Sequence, residues 1–361
     1  MNILILGGTG AMGTPLVDIL SEIQTNEIYI TSRSVRNSHN NIHYIQGDAH
    51  DLKFIEYVLN SHYDVIIDFM VYTLHEFSER IELFLEHTNQ YFFLSSSRVY
   101  ADNDMDRIKE HSPRLLDVTN DEEYIKTNEY ALVKAREENV LFNSKYTNWT
   151  IIRPYITYND ERLQLGVFEK ENWLNRALNK KKIVFPKDIA DKYTTLTYGY
   201  DVSKIMTELI GNEKAFGQAF HIVTEQMIKW KDVLKLYIDV IEEETGYRPE
   251  VFMTEISNEI GNVSCKKYQI TYDRLYNRCF SNEKVKLTLG YDVEYTDVYE
   301  GLKKCLTSYI HKNKKCRFSN SGVAIEAYLD RLTHEKTSLN KFDSLKLKLK
   351  YLVLRYSPFK M

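Results

Sequence analysis

The feature that most restricts the fold of this 361-residue chain is a set of glycines directly after an apolar run. Residues 3–6 read Ile-Leu-Ile-Leu, and Gly7, Gly10 and Gly13 follow before a helical pattern that starts near Pro15. A buried strand, a tight turn and a helix in this order predict the first βα unit of a parallel sheet. We expect no signal peptide ahead of this strand.

Short apolar runs alternate with amphipathic segments over the first 160 residues. After the opening run they lie at residues 28–31, 42–46, 64–69, 91–94 and 150–153. Runs of this length with helices between them are typical of strands that are buried on both faces of a parallel sheet. The sequence therefore predicts an α/β fold with a Rossmann-like, doubly wound parallel sheet.

The predicted domain organisation has three parts. Residues 1–160 form the dinucleotide-binding domain, to which residues 196–225 return. Residues 161–195 and 226–310 mix short strands and helices and are expected to form a smaller α/β substrate-binding lobe. Residues 311–361 change character, with clustered basic residues, and are expected to be a separate C-terminal extension.

Composition excludes several classes of function. Lys and Arg total 47 against 51 for Asp and Glu, a net charge of −4 that argues against a nucleic-acid binder. No apolar run approaches the roughly 18 residues of a membrane span. The four cysteines have neither zinc-site nor disulfide-framework spacing, so we expect reduced thiols and no metal in a cytoplasmic protein.

The glycine turn itself predicts a binding site for a pyrophosphate. Glycine allows a tight turn, close approach of the backbone to the anion, and packing of the helix against the strand. The start of the helix adds free N–H groups and the positive end of its dipole. The candidate cofactor-binding residues of this turn are Gly7, Thr9, Gly10, Ala11, Met12 and Gly13.

The end of the second predicted strand indicates which dinucleotide binds. An acidic residue that holds a ribose 2′-hydroxyl is expected there, but the strand ends in Ser32 and Arg33. A hydroxyl and a guanidinium suit a 2′-phosphate, which favours NADP, with NAD as the alternative. In that alternative, Arg33 is a solvated loop residue.

Two further segments carry candidate reactive groups. Ser95, Ser96 and Ser97 follow the apolar run that ends at Leu94, so their hydroxyls are expected at the carboxyl end of a strand. Tyr130 and Lys134 lie four residues apart, on one face of a helix. An ammonium group stabilises a phenolate and allows it to act as a base near neutral pH. In a chain with 27 tyrosines, however, this spacing also arises by chance.

These residues, taken together, resemble the extended short-chain dehydrogenase/reductase family, the NAD(P)-dependent epimerases and dehydratases that act mostly on nucleotide-sugars. The resemblance covers about residues 1–310, with individually weak motifs in the family order. The motifs are GGTGAMG at 7–13, Gly47-Asp48, SSSRVY at 95–100, Glu110, YALVK at 130–134, Arg153-Pro154 and Tyr200-Asp201-Val202.

The resemblance implies roles for individual residues. Ser96 and Tyr130 would be catalytic, with Tyr130 as the acid or base, and Lys134 would bind the ribose as well as assist Tyr130. Asp48 would contact adenine. Phe69, in the stretch that faces the nicotinamide, and Arg153, in the Arg-Pro pair, would also belong to the cofactor site.

The chain departs from the family pattern at two places. Ser97 and Arg98 stand where the dehydratases of the family carry an Asp-Glu pair, so dehydration is disfavoured. Epimerisation or ketone reduction of a nucleotide-sugar remains. Met70 is bulkier than the small residue expected after Phe69. The alternative function is a non-catalytic, dinucleotide-binding regulatory or RNA-binding module on the same fold.

The C-terminal segment from Lys341 to Met361 holds six basic residues and one acidic one. Its Leu-Lys alternation fits an edge strand, whereas Leu345, Leu349, Leu352 and Tyr356 would also share one face of a helix. A basic amphipathic segment can bind an anionic membrane surface or a partner, or it can pack on its own domain. The family resemblance makes a homodimer the expected assembly.

Overall fold

The computed structural model describes residues 1–103, 106–264, 266–312 and 317–356. Cys265 and Cys316, and Lys314 and Lys315 of the basic cluster, lie outside the described residues. The chain forms two compact units. The first comprises Met1–Thr157, Thr195–Glu225 and Phe280–Thr296, and the second comprises Tyr158–Thr194, Gln226–Cys279 and the chain from Asp297 on.

The strands are short, as the apolar runs predict. In chain order they are β1 Asn2–Leu6, β2 Glu27–Ser32, β3 Ile42–Gln46, β4 Tyr63–Asp68, β5 Thr88–Leu94, β6 Trp149–Ile152, β7 Ile156–Tyr158, β8 Ile183–Pro186, β9 Tyr193–Tyr198, β10 Gln218–Phe220, β11 Met227–Lys229 and β12 Val251–Thr254.

Helices separate most of these strands. They are α1 Gly13–Ser21, α2 Leu52–Val58, α3 Leu74–Glu86, α4 Leu115–Val118, α5 Glu122–Ile125, α6 Tyr130–Phe142, α7 Lys170–Leu178, α8 Lys187–Ala190, α9 Gly199–Glu208, α10 Trp230–Thr245, α11 Asn258–Ser264, α12 Lys267–Gln269, α13 Glu283–Leu289, α14 Val298–Lys312, α15 Asn320–Thr333 and α16 Leu345–Tyr356. Among the described residues, no helix combines the length and the apolar character needed to cross a membrane.

The first unit is built on a seven-stranded parallel sheet. The strands lie in the order β3-β2-β1-β4-β5-β6-β10. Because β1 pairs with β2 on one side and with β4 on the other, the direction of winding reverses between β1 and β4. Ligands of doubly wound sheets bind outside the carboxyl ends of the strands at such a point. The predicted Rossmann-like fold is thus confirmed.

Alternate residues of β1 enter two different cores, because successive side chains of a strand point to opposite faces. Ile3 and Ile5 pack in a core that also contains Leu16 of α1 and Ile205 of α9. Leu4 and Leu6 pack in a second core with side chains of α2 and α3. The continuous apolar run of β1 is therefore buried on both sides, with helices covering each face.

One predicted boundary was wrong. Residues 280–296, assigned from the sequence to the smaller lobe, belong to the first unit. Val285 of α13 is fully buried in the core that contains Ile205 and Phe220, and Leu289 packs against the same core. Burial of this apolar face holds α13 to the helix layer of the sheet.

The C-terminal segment is also not a separate extension. Within the second unit, the buried guanidinium of Arg176 on α7 pairs with Glu326 at 3.0 Å and with Asp330 at 2.7 Å, both on α15. The Tyr351 hydroxyl of α16 donates to Asp330 at 2.7 Å. Residues 345–356 are helical rather than an edge strand, because the inward face of α16 packs on a core around Phe342.

We predict that Tyr351→Phe destabilises the second unit by about 1–3 kcal/mol, because the Asp330 carboxylate and the Thr337 amide would each lose a buried hydrogen bond. Urea unfolding followed by circular dichroism measures this change. Tyr356→Phe is the matched control on the same helix, since Tyr356 is exposed. Equal stability of the two variants would contradict the structural role of the Tyr351 hydroxyl.

Candidate cofactor and active site

A side chain would be crowded at three glycines of the turn between β1 and α1, namely Gly7, Gly8 and Gly13. Gly7 has a φ of +71°, and a Cβ there would lie 2.9 Å from the Sδ of Met70. A Cβ on Gly13 would lie 2.5 Å from the carbonyl carbon of Gly8. Glycine at 7 therefore gives the left-handed turn, and glycine at 13 lets α1 start directly against the end of the strand.

The first turn of α1 is open for an anion. Met12 precedes the helix, and no side chain caps its N–H groups. A Cβ on Gly10 would meet nothing within 4 Å, so the backbone there borders open space. Uncapped N–H groups and the positive end of the helix dipole together favour a phosphate at this position.

A cleft of about 340 Å³ begins at this turn, at the carboxyl ends of β1, β2 and β3. It is polar and lies within the first unit. Its lining residues are Gly7, Thr9, Thr31, Ser32, Arg33, Ser34, Arg36, Gly47, Asp48, Ala49, His50 and Met70. Of the residues predicted to bind the cofactor, the cleft brings together Gly7, Thr9, Ser32, Arg33 and Asp48.

The far end of the cleft carries positive charge. Arg33 is exposed, and no described residue pairs with its guanidinium. Arg36, which was not predicted from the sequence, lines the same cleft and lies over the ring of Tyr44 at 5.6 Å. Ser32 donates its hydroxyl to the Ser34 carbonyl at 2.9 Å, and Asp48 accepts the His50 amide at 3.0 Å.

In the segment after β4, Met70 rather than Phe69 lines the cleft. The half-buried side chain of Phe69 packs against the core that contains Ile3 and Leu16, whereas Met70 lines the cleft. The Phe69 amide donates to the Leu6 carbonyl at 2.9 Å, which joins the ends of β4 and β1. Met70 was not predicted to line the cleft.

Ser96 lies where β5 ends, as predicted. Its hydroxyl accepts the Arg98 amide at 3.2 Å and so caps the one-turn helix Ser97–Val99. The guanidinium of Arg98 lies 5.5 Å from the centre of the Tyr130 ring and pairs with Glu129, the N-cap of α6. The turn that carries Ser96 is therefore in contact with the start of the helix that carries Tyr130.

Lys134 points toward the interior from the next turn of α6. It is 1% exposed, with its Nζ 3.0 Å from the Glu137 carboxylate and 4.5 Å from the centre of the Phe93 ring. Asp68, at the end of β4, is also buried and accepts the Tyr91 hydroxyl and the Met70 amide at 2.9 Å each. A buried charge cluster thus lies beneath the carboxyl ends of the central strands.

Burial dominates the acidity of this cluster. It raises the pKa of Asp68 to about 6 and the pKa of Glu137 to about 7. The ammonium of Lys134 opposes both shifts but does not cancel them. Asp68 and Glu137 were not predicted from the sequence. In the sequence, Asp68 could have been found as a carboxylate at the end of an apolar strand, and Glu137 as a carboxylate three residues after Lys134.

Arg153 lies in an interior network and not among the residues that line the cleft. Its Nε and Nη2 donate to the two oxygens of Glu138 at 2.7 Å and 2.9 Å. Its Nη1 donates to the Glu110 carbonyl at 2.8 Å and to the Tyr100 hydroxyl. These contacts engage the guanidinium within the protein, and its predicted contact with the cofactor stays a prediction.

The two positions that replace the Asp-Glu pair are also occupied by contacts within the protein. Ser97 donates its hydroxyl to the Arg153 carbonyl at 2.7 Å. The Arg98 guanidinium pairs with Glu129. Neither side chain offers a carboxylate for proton transfer, and both stabilise the turn around Ser96.

We predict that Glu137→Gln changes how stability depends on pH. The pKa of Glu137 is raised in the folded chain, from 4.5 to about 7. Its contribution to the stability of the fold is therefore complete below about pH 4.5 and is lost as the pH rises to about 7. In the unmodified protein, ionisation of Glu137 should lower the free energy of unfolding by up to about 1.4 kcal/mol per pH unit over this range, and the variant should lack this decrease. Urea unfolding from pH 4.5 to 7.5 measures it, and an unchanged slope would contradict the assignment.

Comparisons with known proteins support the fold and no more. No family model matches the chain, and no curated protein matches its sequence. Among solved structures, dTDP-glucose 4,6-dehydratase from Bacillus anthracis in complex with NAD has a TM-score of 0.65 at 17% identity, covering 87% of this chain and 97% of that one.

Two further structures give the same result. UDP-glucuronic acid 4-epimerase from Bacillus cereus in complex with NAD has a TM-score of 0.64 at 14% identity, covering 87% of this chain and 98% of that one. The enzyme WbmH from Bordetella bronchiseptica, in complex with NAD⁺, has a TM-score of 0.64 at 13% identity and covers 86% and 99% of the two chains. The chain therefore has the same overall fold as these three structures.

Proposed function

We propose that this protein is an NAD(P)-dependent enzyme that epimerises a nucleotide-sugar or reduces a keto group on one. The observation that carries the proposal is the open, glycine-lined cleft at the point where the sheet reverses its winding, with an uncapped helix start at one end and two arginines along it. Solved structures of the same fold are named for complexes with NAD and with UDP-glucuronic acid.

The residues present fit a nicotinamide dinucleotide. Gly7, Gly10 and the first N–H groups of α1 suit the pyrophosphate, because a side chain is excluded at the first and open space borders the second. Ser32 and Arg33 would hold the adenosine ribose and its 2′-phosphate, and Asp48 would contact the adenine. We prefer NADP because arginines, and no carboxylate, stand at the end of β2, and NAD remains the alternative.

In the proposed mechanism, Tyr130 transfers the proton of the reacting sugar hydroxyl. A nicotinamide dinucleotide, when bound, would supply or take up the hydride. Ser96 donates a hydrogen bond to the substrate oxygen, from a turn that contacts the start of α6 through Arg98. Lys134 would assist the proton transfer by Tyr130 and would bind the nicotinamide ribose.

Glu137 acts through Lys134 rather than on the substrate. The Glu137 carboxylate, 3.0 Å from the ammonium, compensates its charge inside the protein. A buried, uncompensated ammonium is costly, so this carboxylate makes a charged Lys134 compatible with burial. Glu137 is therefore a positioning residue in the proposed site.

The choice among reactions follows from Ser97 and Arg98. Elimination of water needs an acid–base pair beside the catalytic hydroxyl, and these two side chains are held by the Arg153 carbonyl and by Glu129. Epimerisation and ketone reduction need only the hydride and one proton-transfer group, which Tyr130 supplies.

We predict that Arg33→Ala weakens NADPH binding roughly ten- to a hundredfold and leaves NADH binding nearly unchanged, because Arg33 would pair only with the 2′-phosphate. Fluorescence titration with both cofactors measures the effect. Lys53→Ala, an exposed cation on α2 outside the cleft lining, is the matched control. Equal affinity of the unmodified protein for the two cofactors would contradict the preference for NADP.

We predict that Tyr130→Phe lowers turnover by a factor on the order of 10²–10⁴ and preserves cofactor binding, because only the proton-transfer hydroxyl is removed. Ser96→Ala should lower the rate and leave the cofactor bound, and the losses should be non-additive. Single-turnover kinetics on a panel of UDP-, dTDP-, GDP- and CDP-sugars measures them. Tyr57→Phe is the control, since Tyr57 is exposed on α2.

Two results would change the proposal. If Tyr130→Phe keeps full turnover on the identified substrate, Tyr130 is not the acid or base. If the protein binds the dinucleotide but turns over no sugar in the panel, the non-catalytic alternative is favoured.

A further inference from the structure

The outward face of α16 carries an apolar stripe that the proposed activity does not use. Leu345, Leu349, Val353 and Tyr356 are 71%, 53%, 63% and 57% exposed. Their spacing of four, four and three residues places them on one side of the helix, along about 17 Å of its axis. Exposed apolar side chains in such a line indicate an interaction surface.

Basic side chains border this stripe on both sides. Lys346 and Lys350 lie on one flank, and Lys348 and Arg355 lie on the other, as the helical period requires. α16 contains no acidic residue, although the whole chain has a net charge of −4. No described residue pairs with Lys346 or Lys348. The positive charge is therefore concentrated at the stripe.

The rest of α16 holds the stripe in a fixed outward orientation. Tyr351 is buried among Phe318, Val323 and Phe342, and its hydroxyl donates to Asp330. Lys350 donates to the Asn320 carbonyl at 2.8 Å. The helix is thus attached by its inner face, and the outer face stays available without unfolding.

We propose that this face of α16 binds the surface of a bilayer that contains anionic lipids. A convex apolar ridge with flanking lysines matches an interface in which the apolar side chains enter the acyl boundary and the ammonium groups reach the anionic headgroups. Two copies of α16 packed face to face would bring lysines against lysines with no carboxylate between them, which disfavours a second copy as the occupant.

The test is sedimentation of the full-length protein with vesicles. We expect at least tenfold tighter binding to vesicles of phosphatidylcholine with 30% phosphatidylglycerol, as a test composition, than to phosphatidylcholine alone, and weaker binding as salt rises. Lys346→Glu with Lys348→Glu should weaken it roughly twentyfold or more. Leu349→Gln with Val353→Gln should abolish it, whereas Leu287→Gln, at an exposed leucine on α13, should not change it.

A fluorescent variant provides a second measurement that needs no loss of function. Leu349→Trp should show a blue-shifted emission with anionic vesicles and quenching by lipids brominated along the acyl chain. Absence of binding to either vesicle type would overturn the proposal. A concentration-dependent dimer that Leu349→Gln with Val353→Gln disrupts would overturn it too, and would assign the stripe to a second copy of the chain.

Discussion

The buried carboxylate of Glu138 is the interaction on which the arrangement of the candidate active site depends. It accepts four hydrogen bonds, from Ser95 at 2.6 Å, from Arg153 at 2.7 Å and 2.9 Å, and from Arg114 at 3.1 Å. These donors come from the end of β5, the end of β6 and the segment before α4. Breaking a buried pair of this kind costs about 3–5 kcal/mol, because an uncompensated charge is left inside.

This carboxylate fixes α6 against the sheet, and α6 carries the groups of the proposed chemistry. Lys134 lies one turn before Glu138 on α6, and Tyr130 lies one turn before that. Since β5 ends in the serines and α6 is held to Ser95, the turn at Ser96 and the start of α6 cannot move apart without breaking that contact. Glu137 then faces Lys134 in the interior, where burial raises the pKa of Glu137 to about 7. Buried groups with shifted pKa values reduce the stability of the fold, and such groups are common at functional sites.

The second unit also contains a buried network of charged side chains, which joins its helices. Arg176 is fully buried and pairs with Glu326 and Asp330, which ties α15 to α7 across about 150 residues of chain. Tyr351 extends this network to α16 through Asp330. These contacts hold α16, in which basic and apolar residues alternate, as a helix with one apolar face buried and another exposed.

The sequence by itself determined the features that depend on local spacing. The apolar runs, the glycines at 7, 10 and 13, and the order of strands and helices predicted the doubly wound sheet, since burial on both faces and backbone conformation are properties of short segments. Ser32 and Arg33 were predicted at the end of β2 for the same reason, and they line the cleft. The four-residue spacing of Tyr130 and Lys134 follows from helical period alone.

Only the tertiary structure decided the contacts between distant segments. Arg153 pairs with Glu138 and does not line the cleft, α13 packs with the first unit, and α16 packs against α15. The local pattern around Leu345 fits a strand as well as a helix, and packing of Tyr351 onto the Asp330 network selected the helix. Pairing energies of buried charges depend on which partner the fold brings within 3 Å, and no local pattern in the sequence carries that information.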